Sequence, residues 1–507
     1  MKDLQILANY VSLQKVKQVQ IVTDDSSFKG KSRLFYQLLT NGDIKTDEEA
    51  QQKLYNGPNP ESYRKLKYRL RQKLINTLFV VDGHQYGKSK DEKSEVNLIK
   101  LWAATEILTH RRLQGLSRRL QAQVLKTAIK LDRLDIAIPI AVEQRRRFGV
   151  TEYNNAKYDK FNTLVKTLTL QYNFQIESSE YYTWLASIVS HKLKYDQVHF
   201  AQVKNRLLEM RSSLSEINNF NSSFFLFNAI YYVSILDGDR SLKKSICSEA
   251  LDYLAEFPDT PPIMHFSFKQ KTALLVLEEG QMDSALTFLN ELDKISVKPG
   301  SISWQFVRNY KSLIHFSTQN YIEAYKVTAS IINNNKAFNN LRSTFKEHWY
   351  IKEAYLSFLI AAGRFDISKI REKFKRAFRI SRFMNEVPQP SKDKVGYNLS
   401  INIIQFYFIF LESDPIRISD KLESLKQYGF RYLKGKRHIR ARTFIKLLQK
   451  LKNPLLSSKQ IISKSKTLLK TLMEHPHDYS IEVMEREIIP YELQWGELIN
   501  YLEKEGS

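Results

Sequence analysis

An all-helical fold is what this sequence predicts, on three observations: chain breakers are few, apolar residues recur at spacings of three and four, and a two-helix pattern returns about every 40 residues. Only 16 glycines and 13 prolines punctuate 507 residues, which favours long helices over many short strands with their dense turns. At this length a single hydrophobic core stops growing, so the chain is either several domains or an elongated repeat array. With 43% hydrophobic and 12% aromatic residues, either has ample material to pack.

Residues 1–97 read as an N-terminal basic helical module. The charged stretch Gly83 to Glu95, GHQYGKSKDEKSE, closes it with the composition of a linker. Within the module the pattern predicts an opening helix and a strand-like VQIV at Val19 to Val22. A helix over Lys31 to Thr40 follows, then another over Thr46 to Tyr55 with Thr46 or Asp47 as cap. Gly57-Pro58-Asn59-Pro60 forces a turn, and a long helix runs from Glu61 to about Val81. Tyr63, Leu66, Leu70, Leu74 and Leu78 make one apolar stripe along it. Arg64, Lys65, Lys67, Arg69, Arg71 and Lys73 surround that stripe, with no acid between Ser62 and Lys73. A short helix, a tight turn and a basic amphipathic helix is the order of parts in a helix-turn-helix, whose second helix enters the major groove. The plainer reading of the same residues is a solvated basic face.

Residues 98–220 read as a helical bundle leading into repeats at 221–390, and 391–507 as a C-terminal helical section with a basic run and an acidic tail. The repeat is clearest where Ala273, Leu274 and Leu277 precede a turn at Gly280, with Ala285, Phe288 and Leu289 behind it. The plan recurs with Leu313 and Phe316 before Gln319-Asn320-Tyr321 and Ala324 and Val327 after it. It recurs again with Leu356 and Leu359 before Gly363 and Ile370 after it, and upstream with Ala229, Tyr232 and Leu236 before Gly238 and Ile246 and Ala250 behind.

At these residues the chain resembles the tetratricopeptide-repeat superfamily, which places a small residue in the first helix, Gly before the turn and Ala early in the second. Ala273 to Leu289 carries all of these. The resemblance implies a helical-hairpin solenoid whose concave face binds protein partners and which catalyses nothing itself. A basic, Leu-rich helix such as Tyr63 to Arg71 ahead of such repeats also resembles some bacterial transcriptional regulators that pair a helix-turn-helix module with the repeats.

Charge points to the partner. Lys and Arg number 78 against 54 Asp and Glu, a formal net charge of +24. Nucleic acid is the common polyanion for such an excess, because each neutralised phosphate releases a counterion. An acidic protein partner, making the chain a pure interaction scaffold, is the rival reading. Arg111, Arg112, Arg118, Arg119, Lys126, Lys130 and Arg145 to Arg147 form one basic group. A denser one holds Arg431, Lys434, Lys436, Arg437, Arg440, Arg442 and Lys446, with Phe430, Tyr432 and Phe444 interleaved. Arginines alternating with aromatics suit unpaired bases as well as phosphates. The candidate nucleic-acid contacts are therefore Arg64, Lys65, Arg69, Arg71, Lys73, Lys434, Lys436, Arg437, Arg440 and Arg442.

Other chemistries lack their residues. The single Cys247 permits neither an intramolecular disulfide nor a cysteine zinc site. Gly30-Lys31-Ser32 and Gly87-Lys88-Ser89 resemble the end of a phosphate-binding loop. Asp25 and Asp82 stand where its first glycine belongs, and would repel a phosphate. His475, His477 and Asp478 flank Pro476 in what reads as a surface loop, short of a metal set. No cofactor, metal or catalytic residue is expected. The N-terminus lacks the apolar core of a secretory signal. The most apolar run, Ile401 to Leu411, is half the length of a membrane span and reads as a buried helix, so a cytoplasmic protein with no membrane contact is expected. The acidic end, EVMEREIIPYELQWGELINYLEKE, is expected to fold back on the basic helices or to cap the array.

Overall fold

The structure, a computed structural model, describes residues 30–80, 90–217, 219–257, 260–295, 299–368, 370–371, 373–387, 397–452 and 457–505. They are overwhelmingly helical, and no strand occurs among them. The strand-like Val19 to Val22 and both upstream aspartates, Asp25 and Asp82, lie outside the described residues. The chain divides into two compact units, Met1–Leu236 with Phe257–Pro261, and Asp237–Glu256 with Pro262–Ser507.

The first unit opens with α1 (Lys31–Thr40), α2 (Asp47–Tyr55) and α3 (Pro60–Val80). Thr46 is the cap of α2: its hydroxyl accepts from the Glu49 amide, and three acids follow at the positive end of the helix dipole. Asn56 (φ +57°) and Gly57 (φ +155°) then turn the chain in the left-handed region, and Pro60 opens α3 at a position that needs no amide hydrogen. Phe35, Ile44, Ala50, Leu54, Tyr63 and Leu70 close a core of their own for these three helices. Leu74 and Leu78, the far end of the predicted stripe, stand exposed.

Helix α4 (Lys90–His110) begins inside the stretch that reads as a linker. Its glutamate Glu95 meets Arg133 at 3.0 Å, a tertiary contact that local composition does not announce. α5 (Gln114–Lys130), α6 (Leu134–Arg146), the 37-residue α7 (Asn155–His191), α8 (Gln197–Ser212), α9 (Leu214–Ile217) and α10 (Phe220–Asp237) follow. α4 packs on α5, α5 on α6 and α6 on α7 in sequence. Asp132, held at φ +54° after α5, accepts from the side-chain amides of Asn219 and Asn221, and burial lifts its carboxyl to about 6 despite those bonds.

The second unit runs α11 (Arg240–Ala255), α12 (Pro262–Glu278), α13 (Met282–Lys294), α14 (Ile302–Ser317), α15 (Tyr321–Ile332), α16 (Asn335–Asn339) and α17 (Ser343–Ala361). Each long helix packs on the next. Two of the predicted hairpins are present as antiparallel neighbours, α12 with α13 and α14 with α15. The small residues Ala273, Ala285 and Ala324 are all buried at their contacts. Gly280 turns the first at φ +77°, and Gln319 takes the same left-handed turn at φ +56° without glycine's freedom.

The hairpin expected around Gly363 is not formed. Leu356 and Leu359 are buried in α17 and Gly363 turns at φ +65°, but the described residues from 364 to 379 contain no helix. Tertiary contacts hold this segment open. Phe365 and Phe374 set their rings against Tyr325, and the Phe374 amide donates to the Tyr325 hydroxyl.

Beyond it come α18 (Ile380–Glu386), α19 (Tyr397–Leu411), α20 (Pro415–Tyr432), α21 (Ile439–Leu448), α22 (Ser458–Glu474), α23 (Ile481–Arg486) and α24 (Tyr491–Glu505). α19 contains the most apolar run as a core helix, with Ile401, Ile404, Phe406 and Tyr407 essentially inaccessible. No helix among the described residues is long and apolar enough to cross a membrane. The acidic end turns back on the unit's own cations and hydroxyls. Glu497 accepts from Tyr321 at 2.8 Å and pairs with Arg364, while Glu487 and Glu492 meet Arg440.

Candidate nucleic-acid interface

The predicted contact residues fall into groups with different fates. On α3 the buried face is fixed from both sides. Tyr63 and Leu70 enter the three-helix core, and the Tyr63 hydroxyl donates to Asp47 at 2.7 Å. Lys67 donates to both oxygens of Asp47, at 2.6 and 2.8 Å. That bond, with the Tyr63 bond behind it, holds the Asp47 carboxyl below its ordinary value. Lys67 therefore braces α3 against the start of α2.

With that face committed, the arginines of α3 point outward. Arg64, Arg69 and Arg71 are exposed and have no ion-pair partner among the described residues. Arg64 and Arg71, seven apart, share one flank, with the exposed ring of Tyr68 beside them. Lys65 is paired only with Glu61 one turn back at 2.6 Å, and both side chains are exposed, a bond that phosphate competes with easily. Lys73 is half buried.

The run from 431 to 446 divides. Arg440 is an internal residue: its guanidinium donates to Glu487 at 2.6 Å, to Glu492 at 2.5 Å and to the carbonyls of Leu472 and His475. Burial works against its charge, but Glu487 and Glu492 outweigh it and raise the group above its ordinary value. Glu487 is buried too. Desolvation opposes its charge, yet the bonds from His477 and Arg440 and an amide bond from Tyr491 at 2.8 Å keep it ionised, below its ordinary range. His477, read as part of a surface loop, lies buried with Nδ1 3.3 Å from Glu487. Arg442 turns inward as well, donating to the carbonyls of Leu433 and Gly435 at 2.8 Å each. Lys434, Lys436 and Arg437 remain exposed, as do Arg431 and Lys446.

The basic group at the start of the bundle is balanced in part from within. Arg118 and Arg147 share Glu152, and Arg146 pairs with Glu143. Arg111 and Arg112 are exposed and meet no acid among the described residues.

One constellation has no counterpart in the sequence reading. Lys352 is entirely buried on α17, bonded to the Asn309 side chain and to Ser312 at 2.7 Å, with its ammonium 4.3 Å over the Trp349 ring. Burial lowers it to about 7, offset in part by Glu485. Glu485 in turn accepts from Asn309 at 3.2 Å and Tyr397 at 3.3 Å, and burial raises its carboxyl. This network joins α14, α17, α19 and α23 at the centre of the second unit, with no opening to solvent at Lys352. It acts as a polar lock in the core. The signal for it is faint: a lone Lys in the apolar surroundings of WYIKEAYLSFL.

Among the candidate contact residues, then, the exposed cations that no acid answers are Arg64, Arg69 and Arg71 on α3 and Lys434, Lys436 and Arg437 at the α20–α21 turn. Set against known proteins, the chain matches no family model, no curated protein and no solved structure.

Proposed function

We propose that this protein is a non-enzymatic helical scaffold or regulator that contacts nucleic acid through exposed basic helices and protein partners through its helical hairpins. The observation that carries the reading is α3. A helix has its inner face sealed into a small core while Arg64, Arg69 and Arg71 stand outward with no internal acid to answer them. A short helix, a left-handed turn and this basic helix follow the order of a helix-turn-helix, and α3 is its recognition element. Lys434, Lys436 and Arg437 add a second group of outward charge. The hairpins α12–α13 and α14–α15, as neighbour-on-neighbour pairs, supply the tetratricopeptide-like part that offers protein partners a surface.

Salt tests it. The full chain should bind short duplex and single-stranded oligonucleotides at low salt and lose affinity steeply as salt rises. Reversing Arg64, Arg69 and Arg71 to Glu should weaken duplex binding and reduce the slope of log affinity against log salt by about 3, one for each phosphate contact removed. No binding at low salt, or a slope untouched by the reversal, would overturn the reading in favour of an acidic protein partner.

A further inference from the structure

From Ser424 to Met473 the chain carries fourteen Lys and Arg and not one Asp or Glu. α20, α21 and α22, which span this stretch, pack in succession in the second unit. Among the described residues only Lys426, Arg440 and Lys470 of those cations reach an acid. The most exposed aromatic of this surface stands in its middle, with the less exposed Tyr432 two residues on. Phe430, near the end of α20, is 82% exposed, among the most exposed of the large hydrophobic side chains. Arg431 follows it, and Gly435 at φ +85° turns the chain between Lys434 on one side and Lys436 and Arg437 on the other, all exposed. Arg437 is braced: its Nε donates to His438 Nε2 at 2.9 Å, leaving the outer nitrogens of the guanidinium to solvent. His438 is buried, and burial followed by the charge of Arg437 pushes it below its ordinary value, so its ring is neutral and able to accept. α21 begins here with no acid in its first turn, so the positive end of its dipole adds to the same field.

Cations alone would suit any polyanion. The exposed ring narrows the choice, because a phenyl face gains little from phosphate or carboxylate and stacks well on a nucleobase. In a duplex the base faces are hidden inside the stack, so only an unpaired strand offers one.

We propose that the corner formed by Phe430, Arg431, Lys434, Lys436 and Arg437 holds single-stranded nucleic acid, with one unpaired base on the Phe430 ring and the cations on the neighbouring phosphates. This rests on the reading of the chain as a nucleic-acid binder, and adds a second site with a different strand preference from α3.

The test uses the full chain, with labelled oligo(dT), oligo(rU) and a mixed-sequence duplex compared by fluorescence anisotropy at one salt concentration. Phe430→Ala should weaken single-strand binding about tenfold or more, the loss of one stacked base, and leave the duplex unaffected. Phe430→Trp should retain binding and gain an emission that oligo(dT) quenches. Lys434→Glu with Lys436→Glu should lower the single-strand salt slope by about 1.4. A single-strand affinity unchanged in Phe430→Ala would overturn the proposal. Binding of the duplex without either single strand would overturn it while leaving the α3 reading intact. A full chain that binds none of the three would overturn both.

Discussion

The helix Pro60–Val80 beyond its first turn and the stretch from Arg431 to Lys446 look alike as strings of letters, both dense in Lys and Arg and, past Glu61, both free of acids. Folded, they are opposites. On α3 the inner face is held by Tyr63, Leu70 and the Lys67–Asp47 bond, and the arginines are left outside. In the second stretch Arg440 and Arg442 are drawn inward, one to Glu487 and Glu492 and the other to backbone carbonyls, while Arg431, the cations of the turn before them and Lys446 face water. A basic run is thus not one object. Each cation has a role set by whether the rest of the chain returns an acid to it.

The sharpest way to break this contrast is Arg440→Ala. It leaves Glu487 buried beside His477 without its guanidinium, and should destabilise the second unit by about 3–5 kcal/mol in denaturant unfolding. A change under about 1 kcal/mol would place Arg440 with the solvent-facing cations. The effect of acid is smaller and has a definite sign. Because Glu487 is held below its ordinary range in the folded state, the stability it supplies is complete above the unfolded carboxylate pKa of about 4.3 and is lost as pH falls through the lower, folded value. Acid unfolding followed by circular dichroism should therefore begin in that window, and Glu487→Gln should flatten the curve there. The smallest effect on stability belongs to α3, where reversal of Arg64, Arg69 or Arg71 should each change unfolding free energy by no more than about 0.5 kcal/mol. A larger loss would show that these arginines also hold the fold.

Local signals explain what could be read in advance. The helix over Lys31 to Thr40, the Thr46 cap and the Gly-Pro turn before α3 are each specified by residues within a few positions, and all three stand where the sequence puts them. The basic residues of α3 share that legibility, since periodicity alone says which side is apolar. What failed to show is what depends on distant partners. Arg440 meets acids 47 and 52 residues further on. The segment after Gly363 carries hydrophobes at helical spacing, yet Tyr325 captures Phe365 and Phe374 and the helix is lost. Lys352 looks like one more surface lysine until Asn309, Ser312 and Glu485 close around it.

The returning acidic segment also fixes an order of events during synthesis. Glu485, Glu487, Glu492 and Glu497 are the anions that answer Lys352, Arg440 and Arg364, and all four lie after α22. Domains complete their folding as units once their whole chain is available. Helices α12 to α22 thus leave the ribosome with core cations still uncompensated, and the nascent second unit stays open to proteases and chaperones until the residues of α24 emerge to seal it.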